Sequence, residues 1–179
     1  MSLDHPREAM AAAEQRHGTS QLVEWCSDLI TGRIASDDPD HPALDAVGRG
    51  SYVQRIRSGQ SPAYWVRVWA ARGLLYVWDD LAAPGVIVGL SDEEWRVREM
   101  CAKVCRLREI GSAGEELAVL VTDDVPRVRS AALRALAMVG EAEHAEAVRA
   151  ALDDHDHRVA ACADTALRAM SVRLDRDLG

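Results

Sequence analysis

No phenylalanine occurs among the 179 residues, and aromatic side chains of all kinds make up 4%. A core without Phe has to be built from Ala, Leu, Val and Ile, which suits closely packed helices. Lysine is nearly as scarce: Lys103 is the single lysine among 21 basic residues. That bias to Arg, with the abundance of Ala, fits a bacterial genome of high GC content. The four cysteines, Cys26, Cys101, Cys105 and Cys162, are too few and too scattered for a disulfide scaffold. No long apolar run is present either. The longest, Leu81 to Leu90, is ten residues and is broken by Pro84 and two glycines, whereas a membrane-spanning helix needs about 20. The first residues carry Asp4, Glu8 and Glu14 in place of the basic stretch of a signal peptide. These absences set the expectation of a cytoplasmic protein with no membrane partner.

What remains is a globular composition, 48% hydrophobic and 28% charged, with 29 acids against 21 bases and a formal net charge of −8. The length suits one ordinary domain with a real core. An acidic average is a poor start for a protein that coats nucleic acid.

The chain repeats itself. Val66, Val97, Val128 and Val159 are each 31 residues apart. They are preceded by Trp65, Arg96, Arg127 and Arg158. Four residues after each valine stands a small residue: Ala70, Cys101, Ala132, Ala163. A second set keeps the same register: Val86, Leu117 and Val148, then Leu90, Val121 and Leu152. Within one period, Val128, Ala132, Ala135, Leu136 and Val139 share a helical face. Gly140 ends that helix, and a shorter one carries Ala145, Val148 and Leu152. Asp92, Asp123 and the pair Asp153-Asp154 open the long helices, where carboxylates cap and complement the dipole. A single unit buries too little to stand alone, so the units must stack.

This pattern resembles the HEAT repeat over about residues 61–171. The resemblance implies an all-α fold: a right-handed α-solenoid of HEAT-like helical hairpins with an N-terminal helical cap. It also implies a hydrogen-bonded ladder between neighbouring repeats, here Asp92 with Arg98 and Asp123 with Arg129, ending where Ala160 replaces the arginine. The long helix of the second unit is expected to run two residues further, to just before Gly111. The expected organisation is a cap over 1–50 and repeats over about 51–90, 91–122, 123–152 and 153–179, as one continuous domain. Within the cap, Arg7 to His17 and Gln21 to Thr31 read as helices and Ser36 to Pro42 as a loop. Ser51 to Ser58 reads as the short helix of the first repeat.

Charge is unevenly placed. Arg96, Arg127 and Arg158, and with them Arg72, Lys103 and Arg134, point away from the apolar stripe of the long helices. Acids concentrate in the cap and on the short helices, among them Glu115, Glu116, Glu141, Glu143 and Glu146. In HEAT-like proteins the second helices line the inner surface, so the resemblance implies a basic inner face on an acidic chain. Trp65, Trp69, Arg72 and Tyr76 are spaced to line one helix edge beside it. Aromatic rings next to Arg suit stacking or cation–π contacts, and packing against the cap is the plainer alternative. The expected binding residues are Trp65, Trp69, Arg72, Tyr76, Arg96, Lys103, Arg127, Arg134 and Arg158.

A shorter stretch, Trp78-Asp79-Asp80-Leu81-Ala82-Ala83-Pro84, resembles part of the HEAT-like alkyl-base DNA glycosylases, and Trp95-Arg96-Val97-Arg98 resembles a second segment of them. That resemblance implies a catalytic role for Asp80. The spacing departs from that family's, and an interhelical turn accounts equally for the two aspartates. His155-Asp156-His157 and the Cys101/Cys105 pair do not make a metal site, and no nucleophile–base order or phosphate loop is present. The function expected from the sequence is a non-catalytic scaffold, not an enzyme, binding a protein partner through its basic face and using no cofactor. DNA binding or glycosylase-like chemistry is the alternative, and the chain is expected as a monomer or weak homodimer.

Overall fold

A computed structural model describes residues 5–38, 40–48 and 50–178. They form eleven α-helices joined by turns and short 3-10 segments, with no strand among the described residues. The chain divides into two compact units, 1–89 and 90–179.

Unit 1 holds α1 (Pro6–His17), α2 (Thr19–Thr31), α3 (Pro42–Val47), α4 (Gly50–Arg57), α5 (Tyr64–Gly73) and α6 (Ala83–Gly89). The residues expected as a cap and the first helical hairpin therefore fall in one unit. Helix α3 goes beyond the sequence reading, which stopped at a loop. Its start is set by Pro42 at the first helical position and by His41, whose Nδ1 accepts from the Ala43 N–H at 3.2 Å. His5 caps α1 in the same way ahead of Pro6. Ala43 and Leu44 are then fully buried. Helix α2 is the centre of the unit, packed against α1, α3, α5 and α6. Two glycines make that closeness possible. A Cβ on Gly73 would lie 2.7 Å from Met10 Cε and 3.3 Å from Cys26 Sγ, and one on Gly85 would lie 2.2 Å from Ser27 Oγ.

Unit 2 is regular. Long helices α7 (Trp95–Arg108), α9 (Pro126–Val139) and α11 (His157–Leu174) pack in series, and the short helices α8 (Gly114–Leu120) and α10 (Ala145–Ala150) lie against α9 and α11. Val97, Val128 and Val159 are completely buried, as are Cys101, Ala132 and Ala163. Small side chains at those points let the long helices come close without loss of packing density. Helix α7 does not run on to Gly111. It stops at Arg108, and Glu109 adopts a left-handed conformation (φ 52°) to turn the chain. Its N–H bonds the Cys105 carbonyl, so the helix end is closed by backbone geometry rather than by glycine.

A polar ladder runs through unit 2. The Arg98 guanidinium donates to the Asp92 carbonyl (2.8 Å) and forks onto both carboxylate oxygens of Asp123 (2.7 and 3.1 Å). Arg129 repeats the arrangement on the Asp123 carbonyl (2.8 Å) and the Asp154 carboxylate (2.7 and 2.8 Å). Each of these aspartates also accepts from the N–H two residues on, at 2.8 Å. Each carboxylate thus orders the turn ahead of a long helix, and those of Asp123 and Asp154 also bridge to the preceding repeat. Asp154 was not among the ladder residues named from the sequence, although it lies one further period beyond Asp92 and Asp123. The Arg129 fork holds the Asp154 carboxyl below the usual carboxylate range.

Candidate functional site

The outward face of unit 2 sorts its cations into two groups. The first gathers around Trp95 and Glu99. Arg96 lies over the Trp95 ring at 4.3 Å from its centroid, and Arg127 approaches the same ring at 5.4 Å. Glu99, only 8% exposed, accepts from Lys103 at 2.9 Å and from Arg127 at 3.1 Å. Two nearby cations offset the desolvation of one buried carboxylate. Arg96, Lys103 and Arg127 are thus already engaged.

The second group frames a groove of about 790 Å³ formed by α7, α9 and α11. Arg106, Arg134 and Arg158 line it, and all three are exposed. None of their guanidinium groups has a hydrogen bond or ion pair among the described residues. Between them lie Leu107 and Met138, 52% and 46% exposed, and the half-buried Cys162. Glu109 is the one acid at the rim. Helical spacing builds this surface: Arg134 and Met138 are one turn apart on α9, as are Arg158 and Cys162 on α11. Arg106 is not among the binding residues expected from the sequence.

Unit 1 carries a separate opening, a cavity of about 500 Å³. Trp65, Trp69 and Arg72, at i, i+4 and i+7 on α5, form one wall, and Met10, Tyr52 and Ile56 complete it from α1 and α4. The tryptophans are half-buried, so they neither disappear into the core nor stand free. Tyr64 stacks on Trp65 at 5.3 Å, and Tyr52 meets Trp69 edge-on at 6.1 Å. Tyr76 does not join them. Helix α5 ends at Gly73, and the following turn carries Tyr76 out of helical register toward His5, 6.5 Å away between ring centroids. Tyr52, Met10 and Ile56 were missed in the sequence because they come from other helices.

Asp80 lies outside both openings. It is exposed and its carboxylate accepts from the Trp78 indole N–H at 2.9 Å, while Asp79 caps the 3-10 turn through the Leu81 N–H at 2.9 Å. The two aspartates order an interhelical turn, and the resemblance to the glycosylases is not supported. Among the described residues no group of three or more His, Cys, Asp and Glu is arranged to hold a metal ion. Burial pushes the Cys26 and Cys105 thiols up to about 12 and the Cys101 thiol well above its ordinary value. No described helix is long and apolar enough to cross a membrane.

The fold is therefore an all-helical one of the HEAT-like kind. Among solved structures it is similar to the complex of CpcE and CpcF of phycocyanin lyase from Nostoc sp. PCC7120. That similarity has a TM-score of 0.58 and 21% identity, over 96% of this chain and 67% of that one. No family model matches the sequence, and no curated protein does. The structural likeness corrects one expectation. The reading of this chain as a non-enzyme does not stand, because a structure sharing its fold is a lyase.

Proposed function

We infer that this chain is a HEAT-like helical-repeat protein that binds a protein partner, and that the groove on α7, α9 and α11 receives an acidic amphipathic helix of that partner. One observation carries the reading: Arg106, Arg134 and Arg158 have no ion pair among the described residues and surround an exposed apolar floor of Leu107 and Met138. An amphipathic helix lays its apolar face into such a floor. Carboxylates along its edges meet guanidinium forks in two-point hydrogen bonds. The basic face expected from the sequence is thereby narrowed. Arg96, Lys103 and Arg127 contribute less, since Trp95 and Glu99 already engage them. The similar structure is a complex of two chains, which supports a protein partner. It is also a lyase, so the reading includes work inside an enzyme assembly.

The test is a peptide-display selection against the full chain and against the triple variant Arg106→Glu, Arg134→Glu, Arg158→Glu. Sequences kept by the parent and lost by the variant should be acidic and amphipathic, and their binding should weaken as salt rises. Enrichment of basic or unpatterned peptides would overturn the reading. Tight duplex DNA binding that depends on the same three arginines would replace it with the nucleic-acid alternative.

A further inference from the structure

The unit 1 cavity has a composition that the groove does not share. Two indole rings, a phenol ring, Met10 and Ile56 make its wall, and among the described residues Arg72 is the only charged one lining it. The Arg72 guanidinium has no hydrogen bond or ion pair among the described residues. Two tryptophans and Arg72 wall a concave, solvent-accessible opening of about 500 Å³. Its size falls inside the range of about 300–1,000 Å³ that small-molecule sites occupy.

The wall is also held in place. Trp69 is fixed by the edge of Tyr52 and by Gly48, where a Cβ would come within 3.1 Å of its ring. Met10 is pressed over Gly73, at the end of the helix that carries Arg72. The repeat register shows how the site arose. Ser61 lines the cavity and stands where Asp92, Asp123 and Asp154 stand in later repeats, each 31 residues on. Trp65 and Trp69 stand where Arg96 and Met100 stand one period later. At these three positions the first repeat has exchanged an acid, a base and a flexible thioether for a hydroxyl and two flat rings.

We propose that this cavity binds a compact aromatic monoanion, a carboxylate or sulfonate whose rings lie against Trp65 and Trp69 and whose charge is met by Arg72. The apolar wall supplies most of the contact area, and the guanidinium selects an anion over a neutral molecule of the same shape. Side chains from α1, α4 and α5 line the cavity on several sides, a concave shape that suits a compact ligand. The site is independent of the partner groove, since all its residues belong to unit 1.

Two dyes with the same ring system test this on the full chain. 1-Anilinonaphthalene-8-sulfonate carries an anionic group, and N-phenyl-1-naphthylamine lacks it. The anionic dye should saturate a single site, with energy transfer from tryptophan, and 1-naphthoate should displace it. Arg72→Gln should weaken the anionic dye about tenfold or more, the scale of a lost charged hydrogen bond, and leave the neutral dye within about twofold. Arg72→Lys should restore part of the loss. Ala9→Trp, which fills the cavity, should exclude both dyes while helicity and melting temperature hold. Arg134→Glu, in the partner groove of the other unit, should leave both dye affinities unchanged while it weakens acidic-peptide binding there. The proposal is overturned if Arg72→Gln leaves the anionic dye unaffected, if both dyes weaken equally, or if Arg134→Glu removes the binding.

Discussion

In unit 2, residues one period apart do the same work in successive repeats. Asp123 and Asp154 each order the turn ahead of a long helix and each receive a guanidinium fork from the repeat before. In unit 1 the same register holds Ser61, Trp65 and Trp69, and those side chains line a cavity. The first arrangement holds a stack of near-identical hairpins together by bonds that recur. The second dispenses with repetition, because α2 runs through the middle of the unit and contact there is made by close approach at Gly73 and Gly85. The face of α5 that carries Trp65, Trp69 and Arg72 lines the cavity. Regular packing and a specialised opening are thus divided between the two units.

The contrast breaks most sharply at Arg129. Its side chain and that of Asp154 are both under a tenth exposed. Arg129→Ala leaves a buried carboxylate without its partner and should lower stability by about 3–5 kcal/mol. Arg134→Ala, on the same helix but facing the groove, should stay within about 0.5 kcal/mol. Urea unfolding of both variants is the measurement, and similar losses would erase the distinction between ladder and groove arginines.

Gly114→Ala should rank next. A Cβ there would sit 2.5 Å from His144 Cε1 and 2.6 Å from Nε2. The ring cannot swing away, since its Nδ1 accepts from the Glu141 N–H at 2.8 Å and it is buried. A loss of about 1–3 kcal/mol is expected, as for other overpacked sites. Gly73→Ala in unit 1 meets mainly the end of a flexible Met10 side chain, so thermal melting should show a smaller drop.

The ladder should also leave a mark on the acid limb of the stability curve. The folded-state Asp154 pKa is lowered, first by its hydrogen bond from Arg129. Its contribution is therefore present above the unfolded value, near 3.9, and is lost as pH falls through the lower folded value. Asp154→Asn should flatten that limb; an unchanged slope would show the pair contributes nothing to it.

Thiol reactivity sharpens the comparison with the smallest effect. Cys26, Cys101 and Cys105 are buried with raised pKa values, whereas Cys162 is half-buried in the groove. A disulfide reagent at neutral pH should find one fast thiol, lost in Cys162→Ser, and a bound acidic peptide should slow it. At high pH the unfolded chain ionises its thiols first, near 8.5. Stability should then decline as pH rises from there toward the folded values of about 12 for Cys26 and Cys105.

Some of this was readable in the residues themselves. Val97, Val128 and Val159 announce buried helix faces because a side chain with no polar atom, recurring at one period, must be covered each time. The spacing within a repeat marked Asp92, Arg98, Asp123 and Arg129, whereas the forks of Arg98 onto Asp123 and of Arg129 onto Asp154 cross between repeats, and Asp154 went unnamed. Helix α3 was not, because six residues carry too little periodicity and its cap is a histidine, an uncommon choice. The extent of α5 was misjudged through Tyr76, which keeps helical spacing in the sequence although the chain has already turned.

The sequence by itself determined the helices of unit 2, their register and the residues they bury, because these follow from periodic patterns that neighbouring residues enforce. Only the tertiary structure decided which cations remained available. Arg127 and Arg134 look alike along α9, yet Arg127 reaches Glu99 on α7 while Arg134 meets no acid among the described residues. Likewise the rings of Trp65 and Trp69 became a cavity wall through Met10, Tyr52 and Ile56, which lie on other helices. Pairing and enclosure depend on side chains brought together across elements, and a single helical pattern carries no information about those.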